Sequence, residues 1–313
     1  MSYNIVCFCG GGIRGLLSVT ILQILAKSHP NILTKTNLFA GTSTGADIVS
    51  LLVAGKTPAE MIQAFLTEET KFFANPSKDP YKPPYSVEAA HHGQVSVHGR
   101  KKLNDYKQSV VLTSFNVGSE NTPWRPILFS NLEGSPNGDT EIATAVRSSG
   151  AMPGMLGSLY GNIDGAFIHH DPTLAAMAMA MNYEQVSLSD MAVICIGTGL
   201  MPQWIASDTQ AWGAHQWQNG AGNPLDNTPP LLVNGTVAPI LNVTLNGTSV
   251  SLIPELAGMM LQKNYAYLNP TLAYYIPEND VQPANLEYLQ EQANHCDPQQ
   301  MENALNLLET YWG

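Results

Sequence analysis

The sequence predicts an α/β fold, a central sheet with helices on both faces. Three observations predict it. Short apolar strands alternate with helical segments along the chain. Two of those strands run into tight glycine turns that open directly into apolar helices. No internal repeat and no linker divides the 313 residues, a length that can bury a sizeable core. Composition agrees: 44% hydrophobic and 12% charged residues describe a globular chain. The net charge of −11 argues against nucleic acid as a partner and gives no pull toward anionic membranes. If the chain meets lipid, apolar contact must do most of that work, and peripheral membrane contact stays open.

The elements follow in order. Asn4-Ile5-Val6 leads into "CFCGGGIRG", residues 7–15, and then the helical "LLSVTILQILAKSH". "NLFAGTSTGADIVSLLVAG" repeats the strand, turn and helix. "TPAEMIQAFLTEETKFF" opens with a capping box, Thr57 as N-cap, Pro58 behind it and Glu60 reaching back. Asn75 to Pro84 is polar and Pro-rich and reads as an exposed loop. "SVVLTSFNV" and "WRPILFSN" read as strands bracketing a turn. "DTEIATAVRSSGAMPG" reads as a helix stopped by Pro153 and Gly154, and "MAVICIGTG" as a buried strand with a further glycine turn. Residues 200–250, rich in Gly, Asn, Pro and Trp, show no period. Asp297 and Pro298 then begin a helix with Met301, Leu305, Leu308 and Trp312 near one face.

The N-terminus lacks a signal-peptide pattern, and the apolar run Leu16 to Ala26 is too short to span a bilayer. A mature, cytoplasmic chain is expected, with signal-independent secretion left open. Cys7, Cys9, Cys195 and Cys296 have no metal-ligand spacing. Buried free thiols are expected rather than disulfides, with Cys7 and Cys9 on one side of a strand. Sequons at Asn234, Asn242 and Asn246 read as coincidences in an Asn-rich chain.

The chemistry concentrates in the two turns. Gly10, Gly12 and Gly15 fit G-x-G-x-x-G, and such a turn offers bare amides and a helix N-terminus to an anion. A dinucleotide site also needs an acidic residue about 20 positions on. The chain has none before Asp47. The anion can also be one that exists only in a transition state. "GTSTG", with Gly41 and Gly45 flanking Ser43, matches the nucleophile elbow, with an apolar strand before it and a helix after. Ser43 then needs a base. No histidine is singled out, though His169 and His170 follow "NIDGAF". In that run Asp164-Gly165 places a carboxylate at a strand end, either as a base acting directly on the serine or as an ordinary Asp-Gly turn.

In their order these pieces resemble the patatin-like phospholipases, which carry D-G-G-G-x-R-G, then G-T-S-T-G, then D-G-[GA]. Here they stand as Cys9 to Gly15, Gly41 to Gly45, and Asp164-Gly165-Ala166, with weaker likeness in "TAVRSSGAMPGML", "CIGTG", "AWGAHQW" and "YAYLNPTL". The resemblance implies a three-layer α/β/α fold with a mostly parallel sheet. It implies one domain over 1–313, with the catalytic motifs in 9–166 and a less legible portion at 200–313. It implies a lipid acyl hydrolase of phospholipase A type, with Ser43 as nucleophile and Asp164 as base. Gly10, Gly11, Gly12, Ile13 and Arg14 would form the oxyanion hole. No cofactor or metal is implied, the substrate being a phospholipid or other acyl-ester lipid. Two departures stand out: Cys9 replaces the Asp before the glycines, and Ala166 replaces the commoner third Gly. Arg14 could pair with a lipid phosphate or form a structural salt bridge. Trp204, Trp212 and Trp217 could line an acyl pocket or pack in the core. A His-triad esterase and a nucleotide-binding protein using the Gly10–Gly15 turn are the competing readings. Head-group preference and any activating protein partner stay open.

Overall fold

The computed structural model describes residues 2–79, 81–201, 209–219, 232–233, 236–237 and 239–313. Its centre is a seven-stranded sheet. Strands β1 (Tyr3–Phe8), β2 (Leu38–Gly41), β3 (Ser109–Asn116), β4 (Arg125–Ser130), β6 (Met191–Ile196) and β7 (Tyr265–Leu268) lie in the order β4-β3-β2-β1-β6-β7. The pairs from β3 through β2, β1 and β6 to β7 are parallel, and β4 is antiparallel to β3. The short β5 (Asn162–Asp164) pairs antiparallel with β3. The predicted α/β sheet, mostly parallel, is therefore what the chain forms.

Alternation along β1 builds two cores. Val6 and Phe8 face one layer, which includes α1 (Gly15–Ser28), α2 (Thr44–Val53), α3 (Pro58–Ala64), α4 (Val87–His98) and α5 (Ile142–Ser149). Ile5, Cys7 and Cys9 face the other, under α6 (Thr173–Tyr183) and α7 (Ser249–Leu261). Strands covered on both faces need apolar residues at every position, which is why β1, β2 and β6 read as continuous apolar runs. Helices α8 (Pro283–Gln292) and α9 (Pro298–Tyr311) close the first layer. The expected capping box at Thr57 and the cap at Asp297 are both formed. The last turn of α9 reaches the N-terminal strand: Asn4 Nδ2 donates to the Tyr311 carbonyl at 2.8 Å.

One expectation shifts. The helix in "DTEIATAVRSSGAMPG" ends at Ser149, before Pro153 and Gly154. Gly150 caps it, and the Arg147 guanidinium folds back onto the Gly150 carbonyl. All four cysteines are free and buried, as expected. Among the described residues no helix is long and apolar enough to cross a membrane.

Candidate active site

The parallel sheet places its glycine turns side by side. β2 ends at Gly41, in register with Leu112 of β3. Two residues further along β3, Ser114 pairs with Asp164. β5 thus continues the line that β2 abandons when it turns up into α2, and its last residue arrives where the elbow lies.

The candidate elbow is a sharp, crowded turn. Ser43 sits at φ 55°, a left-handed conformation that costs energy for a residue with a side chain. Gly41 and Gly45 are required by space: a Cβ on Gly41 would lie 2.3 Å from the Gly45 carbonyl oxygen, and one on Gly45 2.1 Å from that of Phe8. Ser43 precedes the first turn of α2 but does not cap it with its side chain. Its hydroxyl instead donates to Asp164 Oδ2 at 2.7 Å. Its amide donates to Ser149 Oγ at 2.9 Å, so the end of α5 steadies the elbow.

Asp164 is 1% exposed, and its other oxygen accepts the Ala166 amide at 2.8 Å. Burial pushes its carboxyl up from 3.8 to about 7, against those two hydrogen bonds. The charge of Glu278 adds to the rise and that of Arg147 opposes it. The backbone around it is stitched to the segment after α5, with the Asp164 amide on the Ala151 carbonyl and the Gly165 amide on that of Ser149, both at 3.0 Å. No described imidazole is hydrogen-bonded to Ser43 or Asp164. His170 is buried, and burial, aided by the Arg14 charge, pulls it down to about 3, so it is neutral near pH 7.

The first glycine turn lies against the serine: a Cβ on Gly10 would stand 3.3 Å from Ser43 Cβ. Its five residues are not equivalent. The Gly10 amide donates to the His170 carbonyl at 3.0 Å, the Ile13 amide to the Glu278 carbonyl at 2.7 Å, and the Arg14 amide to the Gly11 carbonyl at 3.2 Å. Among the described residues only the Gly11 and Gly12 amides in this turn lack an acceptor. Arg14 is 2% exposed; it donates to the Ile276 carbonyl at 2.8 Å and lies 3.7 Å from Glu278 Oε1. Its guanidinium therefore serves the structural role, tying the 276–278 segment to the turn, and not the phosphate role.

A cavity of about 590 Å³ opens beside Ser43 and Gly12, within the range of small-molecule sites. Phe65, Phe72, Phe73, Met152, Met155 and Leu156 make its apolar wall. Asp47, Glu69 and Arg147 also line it. Burial and neighbouring acids, Glu69 first, push the Asp47 carboxyl up to about 8. Trp212 and Trp217 do not form this wall. Trp212 and Trp217 pack edge-to-face on each other with centroids 5.1 Å apart, and Trp204 lies outside the described residues.

Sequence reasoning missed Ser149, Glu278, Arg147 and Asp47. "RSSG" hinted at a close approach of small residues, but nothing near Glu278 in sequence marks it as a neighbour of the first turn.

A family model described as "Patatin-like phospholipase" matches residues 6–177. "Putative sporulation hydrolase CotR" of Bacillus subtilis is 30% identical over 234 residues, covering 73% of this chain and 72% of that protein. "Protein teg" of Priestia megaterium is 27% identical over 260 residues, covering 79% and 81%. "Patatin-T5" of Solanum tuberosum is 22% identical over 252 residues, covering 66% and 64%.

Proposed function

The chain belongs to the patatin-like phospholipase family of lipid hydrolases, and on that premise we propose that it cleaves fatty-acyl esters through a Ser43–Asp164 dyad. The observation that carries the reading is the 2.7 Å hydrogen bond from Ser43 Oγ to a buried carboxylate. Asp164 takes the hydroxyl proton as Ser43 Oγ bonds to the ester carbonyl carbon. The carbonyl oxygen becomes an oxyanion and meets the Gly11 and Gly12 amides, donors that face charge present only in the transition state. Collapse of the intermediate expels the alcohol, which takes the proton from Asp164. Water then attacks the acyl-enzyme, giving up its proton to Asp164, and Ser43 regains that proton as the fatty acid leaves. The apolar wall of Phe65, Phe72, Phe73 and Leu156 suits the acyl chain.

The same reading includes peripheral contact with a lipid surface. On α7, Leu252, Leu256, Met259 and Met260 are exposed, while Ile253, Ala257 and Leu261 are buried. Leu241 and Leu245, just before α7, pack with Met152 and Met155 of the cavity wall. The segment that leads into α7 thus touches the cavity wall, and α7 itself carries the exposed apolar strip.

Two competitors lose support. A His triad lacks its imidazole at Ser43. A nucleotide site lacks room: a Cβ on Gly12 would sit 2.2 Å from the Glu278 carbonyl oxygen, and the Ile13 amide is already taken by that carbonyl. The test is labelling with a fluorophosphonate followed by peptide mapping, with fatty-acid release measured on a phospholipid panel. Label is expected on Ser43, and Ser43→Ala should lose both label and hydrolysis while staying folded. Label on another serine, with Ser43→Ala still active, overturns the proposal.

A further inference from the structure

Beneath the glycine turn, on the sheet face that α6 and α7 cover, lies a second cluster of chemistry-bearing side chains. It is on the opposite side of the sheet from the catalytic cavity. Cys9, Cys195 and Asp171 each bring one potential ligand atom into a group whose members lie within 4.8 Å of one another. All three residues are buried, Asp171 with no exposure at all.

The spacing suits a metal. Cys9 Sγ and Cys195 Sγ are 3.6 Å apart. Two thiolates at about 2.3 Å from a tetrahedral zinc stand roughly 3.8 Å from each other, so binding would require almost no movement of the sulfurs. The carboxylate supplies an independent pointer. Asp171 Oδ1 accepts the Thr173 amide at 2.8 Å, but Oδ2 is buried without a hydrogen-bond partner among the described residues. The Thr173 hydroxyl in the same turn is also buried, beside the Asp171 carboxyl and the thiols but without a well-directed hydrogen bond. A buried carboxylate oxygen without a well-directed donor, beside two sulfurs, is an environment that a cation would satisfy.

We propose that Cys9, Cys195 and Asp171 bind one zinc-class cation. The thiolate pair selects a soft or borderline metal and rejects magnesium and calcium, which take oxygen ligands. Both thiols lose their protons on binding. Three protein ligands leave one coordination position, and Thr173 Oγ1 is the neighbouring protein oxygen in the adjoining turn.

The location gives the cation a positioning role. Cys9 immediately precedes Gly10, and the Gly10 amide is held by the carbonyl of His170, next to Asp171. Cys195 sits on β6, in register with Cys7 of β1. A cation here would bind the end of β1, β6 and the Asp171 turn together, fixing the base of the glycine turn from both sides. It would touch neither Ser43 nor Asp164, so chemistry is not its task.

Sequence spacing could not show this site. The two sulfurs in contact are 186 residues apart, and Asp171 comes from a third segment.

The test refolds the full chain with zinc chloride under a phosphine reductant, removes free metal, and measures zinc by elemental mass spectrometry. About one zinc per wild-type chain is expected, together with a raised Tm, since a ligand that binds only the folded state stabilises it. Cobalt in place of zinc should give the intense visible bands of a tetrahedral thiolate site. Cys195→Ser and Asp171→Asn should lose most of the metal. Cys7→Ser, on the same strand face but outside the cluster, should keep it. Ser43→Ala should also keep it, which separates failure of this proposal from failure of the dyad. Wild type with no zinc above background and an unchanged Tm overturns the proposal without recourse to any variant. So does intact protein lighter by two hydrogens after purification, if it stays metal-free when reduced and reloaded.

Discussion

At the scale of single residues, Asp164 carries the sharpest signed expectation. Its carboxyl is pushed to about 7, chiefly by burial. A base must be ionised to accept the Ser43 proton, so the active form is the one present above that value. kcat/KM should therefore climb as pH rises from about 5 to about 8 and level off, with an apparent pKa near 7. Asp164→Asn keeps the shape and removes the acceptor, and hydrolysis should fall by about 10²–10⁴-fold. His169→Ala and His170→Ala should each keep most activity and the same pH limb. A folded His variant as inactive as Ser43→Ala, beside an active Asp164→Asn, would mean that an imidazole is the base. The proposed pair, Ser43 and Asp164, could be picked out of the sequence because each lies in a short pattern with a local cause. The elbow needs glycine where backbone crowds it, and the Asp-Gly pair ends a strand. Ser149 and Glu278 were not legible. Ser149 meets Ser43 across 106 residues, and the 276–278 segment meets Arg14 across 262. No local pattern encodes such meetings.

At the scale of elements, the site is made by three segments that converge on the C-terminal ends of parallel strands, where open α/β sheets place their ligands. The glycine turn and the elbow come from consecutive strand-turn-helix units, and the sequence displays both. β5 is different. Three residues long, it has too little period to be read as a strand with a partner, and only its antiparallel register on β3 brings Asp164 to the elbow. The 276–278 segment is the other hidden element. Its Glu278 carbonyl holds the Ile13 amide, while the Glu278 side chain faces Arg14 and raises the Asp164 carboxyl through its charge. Glu278→Gln removes that charge and leaves the backbone contact in place. The Asp164 carboxyl should then ionise more readily, and the acid limb of the pH–rate profile should move to lower pH. A limb that stays put, in a variant whose Tm matches wild type, would show that the Glu278 charge does not reach the base. The parallel core strands, by contrast, were read directly, because burial on both faces forces apolar runs with β-branched residues that carry their own signal.

At the scale of the whole molecule, the proposed contact with a lipid surface depends on net charge and apolar area together. Lipid esters lie in an interface, and a protein of net charge −11 is repelled by an anionic one. Attraction must come from apolar area. The exposed Leu252, Leu256, Met259 and Met260 recur at helical spacing on one side of α7, and its other side is buried in the core with Ala257 and Leu261. Met259 is the most exposed of the four at 64%. Replacing Met259 and Met260 by Glu places two charges on that strip without touching the buried side. The double variant should stay folded and hydrolyse a soluble short-chain ester at the wild-type rate, because Ser43, Asp164 and the cavity wall are unchanged. On zwitterionic phospholipid vesicles it should sediment less and release fatty acid more slowly. Wild type should bind vesicles less as their anionic fraction rises, and added salt should restore binding by screening the repulsion. The apolar term itself should be nearly indifferent to moderate salt. Equal loss on the soluble ester and on vesicles would place the defect inside the site, whereas unchanged vesicle binding would leave α7 facing water and move the lipid contact to another face.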